Sequence, residues 1–131
     1  MPFDSIKIPQ IADVSTSGTA VATSRADSDV RISGLIEYII IDLSGAAGPD
    51  IDIDIKTVGN TGSGASRTLW SADDITADTT ICLRQQAVTA ANANITNHGG
   101  KIAVINDTIR VDAYDANKAS INIDVWIVYS K

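Results

Sequence analysis

From Asp50 to Ile55 the chain alternates acid and β-branched residue three times without a break, then continues as Lys56-Thr57-Val58. A period of two is the repeat of a β-strand with one face buried, and no helix could gather those isoleucines on one side. The predicted strand turns Ile51, Ile53 and Ile55 to a core and Asp50, Asp52 and Asp54 to a solvated face. A calcium loop of the D-x-D-x-D-G type would need glycine at its sixth position and glutamate at its twelfth. Counted from Asp50, those positions hold Ile55 and Thr61. A strand also spaces alternate carboxylates about 6.6–6.8 Å apart, too far for three of them to grip one ion unaided. The acids are instead candidates to face Lys or Arg of a neighbouring subunit.

The rest of the chain speaks the same language. Arg31 to Leu43 is nearly continuous in apolar residues on both faces, which predicts a strand covered on both sides, by the core or by core and partner. Thr79 to Val88, Lys101 to Ile105, Thr108 to Tyr114 and Ser120 to Tyr129 complete the strand-like segments, with turn signals in 44–49, 59–64 and 98–100 and a hairpin-like connection at 115–119. Ser71-Ala72-Asp73-Asp74 has the composition of a capped helical turn. Six to eight strands at regular spacing predict an all-β fold, an antiparallel β-sandwich or jelly roll, over residues 30–131. Residues 1–29 read as an extended N-terminal arm or edge segment. Its isolated apolar residues Phe3, Ile6, Ile8 and Ile11 stand too sparsely for a core element, and would suit a segment lying on a partner or a frayed terminus.

With 131 residues the chain suits one domain, and its net charge of −6 with scattered Lys and Arg opposes nucleic-acid binding. No apolar run approaches the ~20 residues of a membrane helix, and Met1 to Gln10 lacks the pattern of a signal peptide. A single cysteine, Cys82, excludes an intrachain disulfide and reads as a small buried hydrophobe.

Catalytic chemistry finds little to work with. His98 stands beside two glycines in an expected turn, with no nucleophile or orienting acid nominated. Gly59 to Gly64 lacks the Lys-Ser/Thr ending of a phosphate loop. Asp73, Asp74 and Asp78 suit capping and turns better than a carboxylate pair. No catalytic, cofactor or metal site is expected, and the chain reads as a non-enzyme. The last strand is more telling: after Asn122 and Asp124 its outward face turns apolar at Trp126 and Val128, which predicts a covering loop or an interface.

The order of Leu69-Trp70-Ser71-Ala72-Asp73-Asp74, Thr79-Thr80-Ile81-Cys82-Leu83-Arg84, Ile109-Arg110-Val111-Asp112-Ala113 and the terminal IDVWIVY resembles small virion structural proteins of tailed bacteriophages. The resemblance spans Leu35 to Lys131. It implies a capsid cement or decoration protein, or a neck, tail or head-fibre component, made in the host cytoplasm and carried on the capsid exterior. The partners it implies are the major capsid protein and copies of the chain itself, a trimer at local threefold positions being one such arrangement. It carries over no active site and no cofactor. A carbohydrate- or receptor-binding sandwich using Trp70 or Trp126 is the competing expectation.

Overall fold

Two antiparallel sheets face each other across a core built mainly of isoleucine in the computed structural model. The structure describes residues 3–14, 24–45, 48–59, 66–82, 85–88, 94–100, 102–114, 116 and 121–131. Among them are strands and no helix. The first sheet runs β1 (Phe3–Val14), β11 (Ile121–Ser130), β3 (Ile32–Ser44) and β6 (Thr79–Ile81), with β9 (Ala103–Asp107) also paired to β3. The second runs β2 (Ser24–Asp27), β10 (Ile109–Tyr114), β4 (Ile51–Thr57) and β5 (Arg67–Ile75). β7 (Gln85–Val88) and β8 (Asn94–Gly100) form a separate two-stranded ribbon. The expected β-sandwich is the fold.

Isoleucine dominates the interior for a physical reason. Its branched, rotamerically stiff side chain loses little freedom on a pleated surface and fills the space between sheets. The largest fully buried side chains include Ile36, Ile39 and Ile41 from β3, Ile51, Ile53 and Ile55 from β4, and Ile121, Ile123 and Ile127 from β11. The inward odd positions of β11 and the inward isoleucines of β4 match the alternation in the sequence.

Several expectations are corrected. Ile8 and Ile11 are core residues, because β1 is an edge strand hydrogen-bonded along β11 and turns them inward beside Val125 and Ile123. Thus part of the segment 1–29 supplies edge strands to both sheets, β1 to one and β2 to the other. Ser71 to Asp74 belongs to β5 rather than to a helical turn. There the extra residue of a bulge is absorbed by Asp74 in the left-handed conformation, φ 56°, with its N–H donated to Asp52 Oδ1 at 2.8 Å. A short acidic side chain tolerates that conformation better than most. His98 to Gly100 lies in β8, not in a turn. β10 and β11 lie in different sheets and do not pair as a hairpin; the connection expected at 115–119 lies outside the described residues except at 116. Cys82 is exposed, just beyond the end of β6. The β-strand expected from Thr79 to Val88 is two shorter ones, and the loop expected at 59–64 lies outside the described residues from 60 onward.

The passage between sheets at β9–β10 is fixed by buried polar groups. Asp107, 6% exposed, accepts N–H bonds from Gly59 and Thr108 at 3.0 and 2.8 Å. Ser28 donates its hydroxyl to the Val30 carbonyl and accepts the Ile109 N–H. These bonds satisfy backbone groups that the turn removes from either ladder.

Candidate functional site

The two outer faces differ in kind. On the four-stranded sheet, cross-strand register sets Arg25 opposite Asp112, Asp27 opposite Arg110, and Asp54 opposite Asp112. Arg110 grips Asp27 through two bonds of 2.7 and 2.9 Å. Asp112 receives Arg25 at 2.6 Å and Lys56 at 2.7 Å. Burial pushes the Asp112 carboxyl up, but the hydrogen bonds and charges of Arg25 and Lys56 outweigh it and hold the group below its ordinary range. The Arg110 bonds likewise lower Asp27.

The alternating acids of β4 lie on this face. Asp52 is only 8% exposed and holds the β5 bulge, which corrects the expectation that it is solvated. Asp54 accepts the Ser71 hydroxyl at 2.5 Å and that of Tyr114 at 3.3 Å. Burial first, then the Asp54 charge, raises the Tyr114 phenol. Asp50 stands half-buried just before β4. Among the described residues no group of three or more His, Cys, Asp and Glu is placed to hold a metal ion.

The outer face of the five-stranded sheet is apolar. Directly opposed pairs share a face, so the registers Phe3–Ser130–Leu35, Ser5–Val128–Tyr38 and Lys7–Trp126–Ile40–Thr80 describe successive rows across it. Phe3 is 64% exposed, Tyr38 43%, and Leu35 and Ile40 37% each. Trp126 and Val128 are half-buried among them. Of the two alternatives for β3, the exposure of Tyr38 and Ile40 removes cover by its own sandwich on both sides: within the chain, only the Ile39 and Ile41 side is buried. Lys7 Nζ lies 5.3 Å from the Trp126 ring centroid and 3.2 Å from Asp124 Oδ1, bridging a cation–π contact and an ion pair. Ile6, partly buried, packs on the core side of the same edge strand.

One end of this face collects acid. Asp124 stands directly opposite Asp42, and Gln10 Nε2 donates to Asp124 Oδ2 at 3.0 Å. Asp78 accepts the Leu43 N–H at 2.9 Å, which sets it beside Asp42, the residue before Leu43. Hydrogen bonding to Asp78 and its charge, then burial and the Asp124 charge, push the Asp42 carboxyl above its usual value. Sequence patterning marked Trp126 and Val128 and pointed to the doubly apolar strand around Tyr38 to Leu43, but only cross-strand register shows that Tyr38 and Ile40 stand beside them, and Leu35 was not marked. It also missed the carboxylates of Asp42, Asp78 and Asp124, which come from three separate stretches of chain.

No family model and no curated protein matches this chain. Solved structures do. The likeness is one of fold. A labelled variant of chitosan-binding module 1 from the chitosanase/glucanase of Paenibacillus sp. IK-5 is similar with a TM-score of 0.54 at 8% identity, covering 92% of this chain and 75% of that one. The CBM32 of AlyQ, solved with 4,5-unsaturated mannuronic acid, is similar with a TM-score of 0.52 at 10% identity, covering 95% and 97%. Trp70, the other aromatic weighed as a ligand platform, packs against the core opposite Ile55.

Proposed function

We propose that this chain is a non-catalytic β-sandwich module of a bacteriophage virion, a capsid cement or decoration protein that binds neighbouring capsid subunits. One observation carries the proposal: Phe3, Leu35, Tyr38, Ile40, Trp126 and Val128 share one outer sheet face, while the opposite outer face spends its charges on its own ion pairs. A large apolar patch beside polar surroundings is the mark of a surface that is covered in the working assembly. The resemblance to tailed-phage virion proteins supplies the assembly, with the major capsid protein and other copies of this chain as its partners on the capsid exterior. Mass spectrometry and cryo-EM of purified virions test it. Stoichiometric presence on the head supports the assignment; absence from particles sinks it.

A glycan-binding role is the second reading, favoured by one feature: Trp126 and Tyr38 lie diagonally across β11 and β3, with Gln10, Lys7 and Asp124 beside them. The folds it resembles include a chitosan-binding module and a module solved with 4,5-unsaturated mannuronic acid. Glycan-array binding lost in Trp126→Ala would establish that role in place of the first.

A further inference from the structure

From the outer face of the five-stranded sheet we infer the chemistry of what covers it: a protein segment that presents Lys or Arg side chains beside apolar ones, its cations entering the cluster of Asp42, Asp78 and Asp124. The inference rests on the proposed role in assembly and sharpens it.

Two features meet on this face. Tyr38, Ile40, Trp126 and Val128 form an apolar platform two strands wide. Immediately along the same strands, Asp124 and Asp42 are direct cross-strand neighbours, an arrangement that repels when both are ionised. Asp78, held on the Leu43 N–H at 2.9 Å, brings a third carboxylate to the neighbourhood of Asp42. Lys7 answers Asp124 alone; among the described residues no cation pairs with Asp42 or Asp78. The opposite sheet shows how this chain treats an acid on an outer face elsewhere, giving Asp112 two cations of its own. The uncompensated end of the apolar face is therefore complementary to positive charge from outside. A second copy stacked acid end on acid end would add to the repulsion, which disfavours self-association in that register. Lysine and arginine suit the site because their aliphatic stems lie on apolar surface while their heads reach carboxylates.

The probes are two octapeptides, one alternating valine with lysine and one alternating valine with glutamate, together with a glucosamine hexamer. NMR titration of the full chain reads affinity and location. The lysine peptide is expected to bind about tenfold or more tightly than the glutamate peptide, the scale of a few rim charges, with shifts centred on Tyr38, Ile40, Asp42 and Trp126. Asp42→Asn/Asp78→Asn should remove that preference, and thermal melting shows that the variant is folded. Equal affinity for both peptides, no binding of the lysine peptide, shifts elsewhere, or an unchanged preference in the double variant would overturn the inference. Binding of the glucosamine hexamer without the lysine peptide would overturn it in favour of an amino-sugar site. Location on virions is read separately: a head-bound protein without lysine preference sinks this inference alone, and lysine preference in a protein absent from particles sinks the assembly role alone.

Discussion

Asp42 and Asp112 occupy comparable places, each mid-strand on an outer face and each opposite another aspartate, yet their neighbours give them opposite electrostatics. Asp112 is lowered by its two cations, so its folded-state value lies below that of the unfolded chain. Its stabilisation is present above the unfolded value of 3.8 and is lost as pH falls through the lower folded value. Asp42 is raised, so the folded state binds the proton more tightly, and ionising Asp42 above that value works against the fold. Asp112→Ala should cost about 1–2 kcal/mol at neutral pH, since it strips two partly exposed cations of their partner. Asp42→Asn should raise the melting temperature at neutral pH and lose that advantage toward pH 3. Urea melts of both variants across pH 2 to 7 check the crossing of signs. A destabilised Asp42→Asn at neutral pH would refute the repulsion.

Gly34 gives a second residue-scale prediction. A Cβ there would collide with the Ser130 carbonyl oxygen and stand 3.0 Å from Tyr129 Cδ2. Backbone cannot step aside as a flexible side chain can, so Gly34→Ala should force β3 and β11 apart and cost about 1–3 kcal/mol or more. Chemical denaturation measures it, and a neutral result would mean that the strands give way freely there. Nothing in the sequence around Gly34 foretold this, because the crowding comes from a strand nearly a hundred residues further on.

At the scale of elements, period-two alternation was the most legible signal. The core faces of β4 and β11 could be read because Ile or Val recurs at nearly every second position, while the burial of Asp52 on the other side of β4 could not. β5 was not legible as a strand throughout: Ser71 to Asp74 resembles a cap, and the bulge that accommodates it depends on Asp52 from another strand. β1 was obscured differently. Its bulges shift the register between Ile8 and Ile11, so its apolar residues fall out of step and look too sparse for a core. Pro9 falls in that irregular stretch of an edge strand, where a missing N–H breaks no ladder through the sheet interior. An arm of this composition would be dispensable to the fold; an edge strand carrying Ile8 and Ile11 into the core is not. Ile8→Ala should therefore cost about 2–5 kcal/mol, and removing residues 1–14 should broaden or abolish cooperative unfolding. A truncated chain that melts like the full one would return β1 to the status of an arm.

Across the whole molecule, the two sheets turn different surfaces outward. The four-stranded sheet turns outward a lattice of ion pairs and hydrogen bonds among Arg25, Asp27, Lys56, Asp54, Arg110 and Asp112, all made within the chain. The five-stranded sheet turns outward aromatic and aliphatic groups that nothing described in the chain covers. The sequence carried the inventory of this asymmetry but not its arrangement, because topology decides which strands lie side by side: β3 and β11, separated by more than half of the chain, supply most of the apolar face. The division makes a paired prediction. Tyr38→Ser/Ile40→Thr/Trp126→Ser should leave folding largely intact, since half-exposed outer positions contribute little burial, and should abolish association with particles. Arg110→Ala should do the reverse, freeing Asp27 from its two bonds and lowering stability by up to about 1 kcal/mol while particle association persists. Co-sedimentation with virions lacking the native protein, set against denaturant melts of the same variants, separates the two effects. If the apolar-face variant still binds particles, the binding surface lies elsewhere on the molecule, and the apolar face of Phe3, Leu35, Tyr38 and Ile40 would need another explanation.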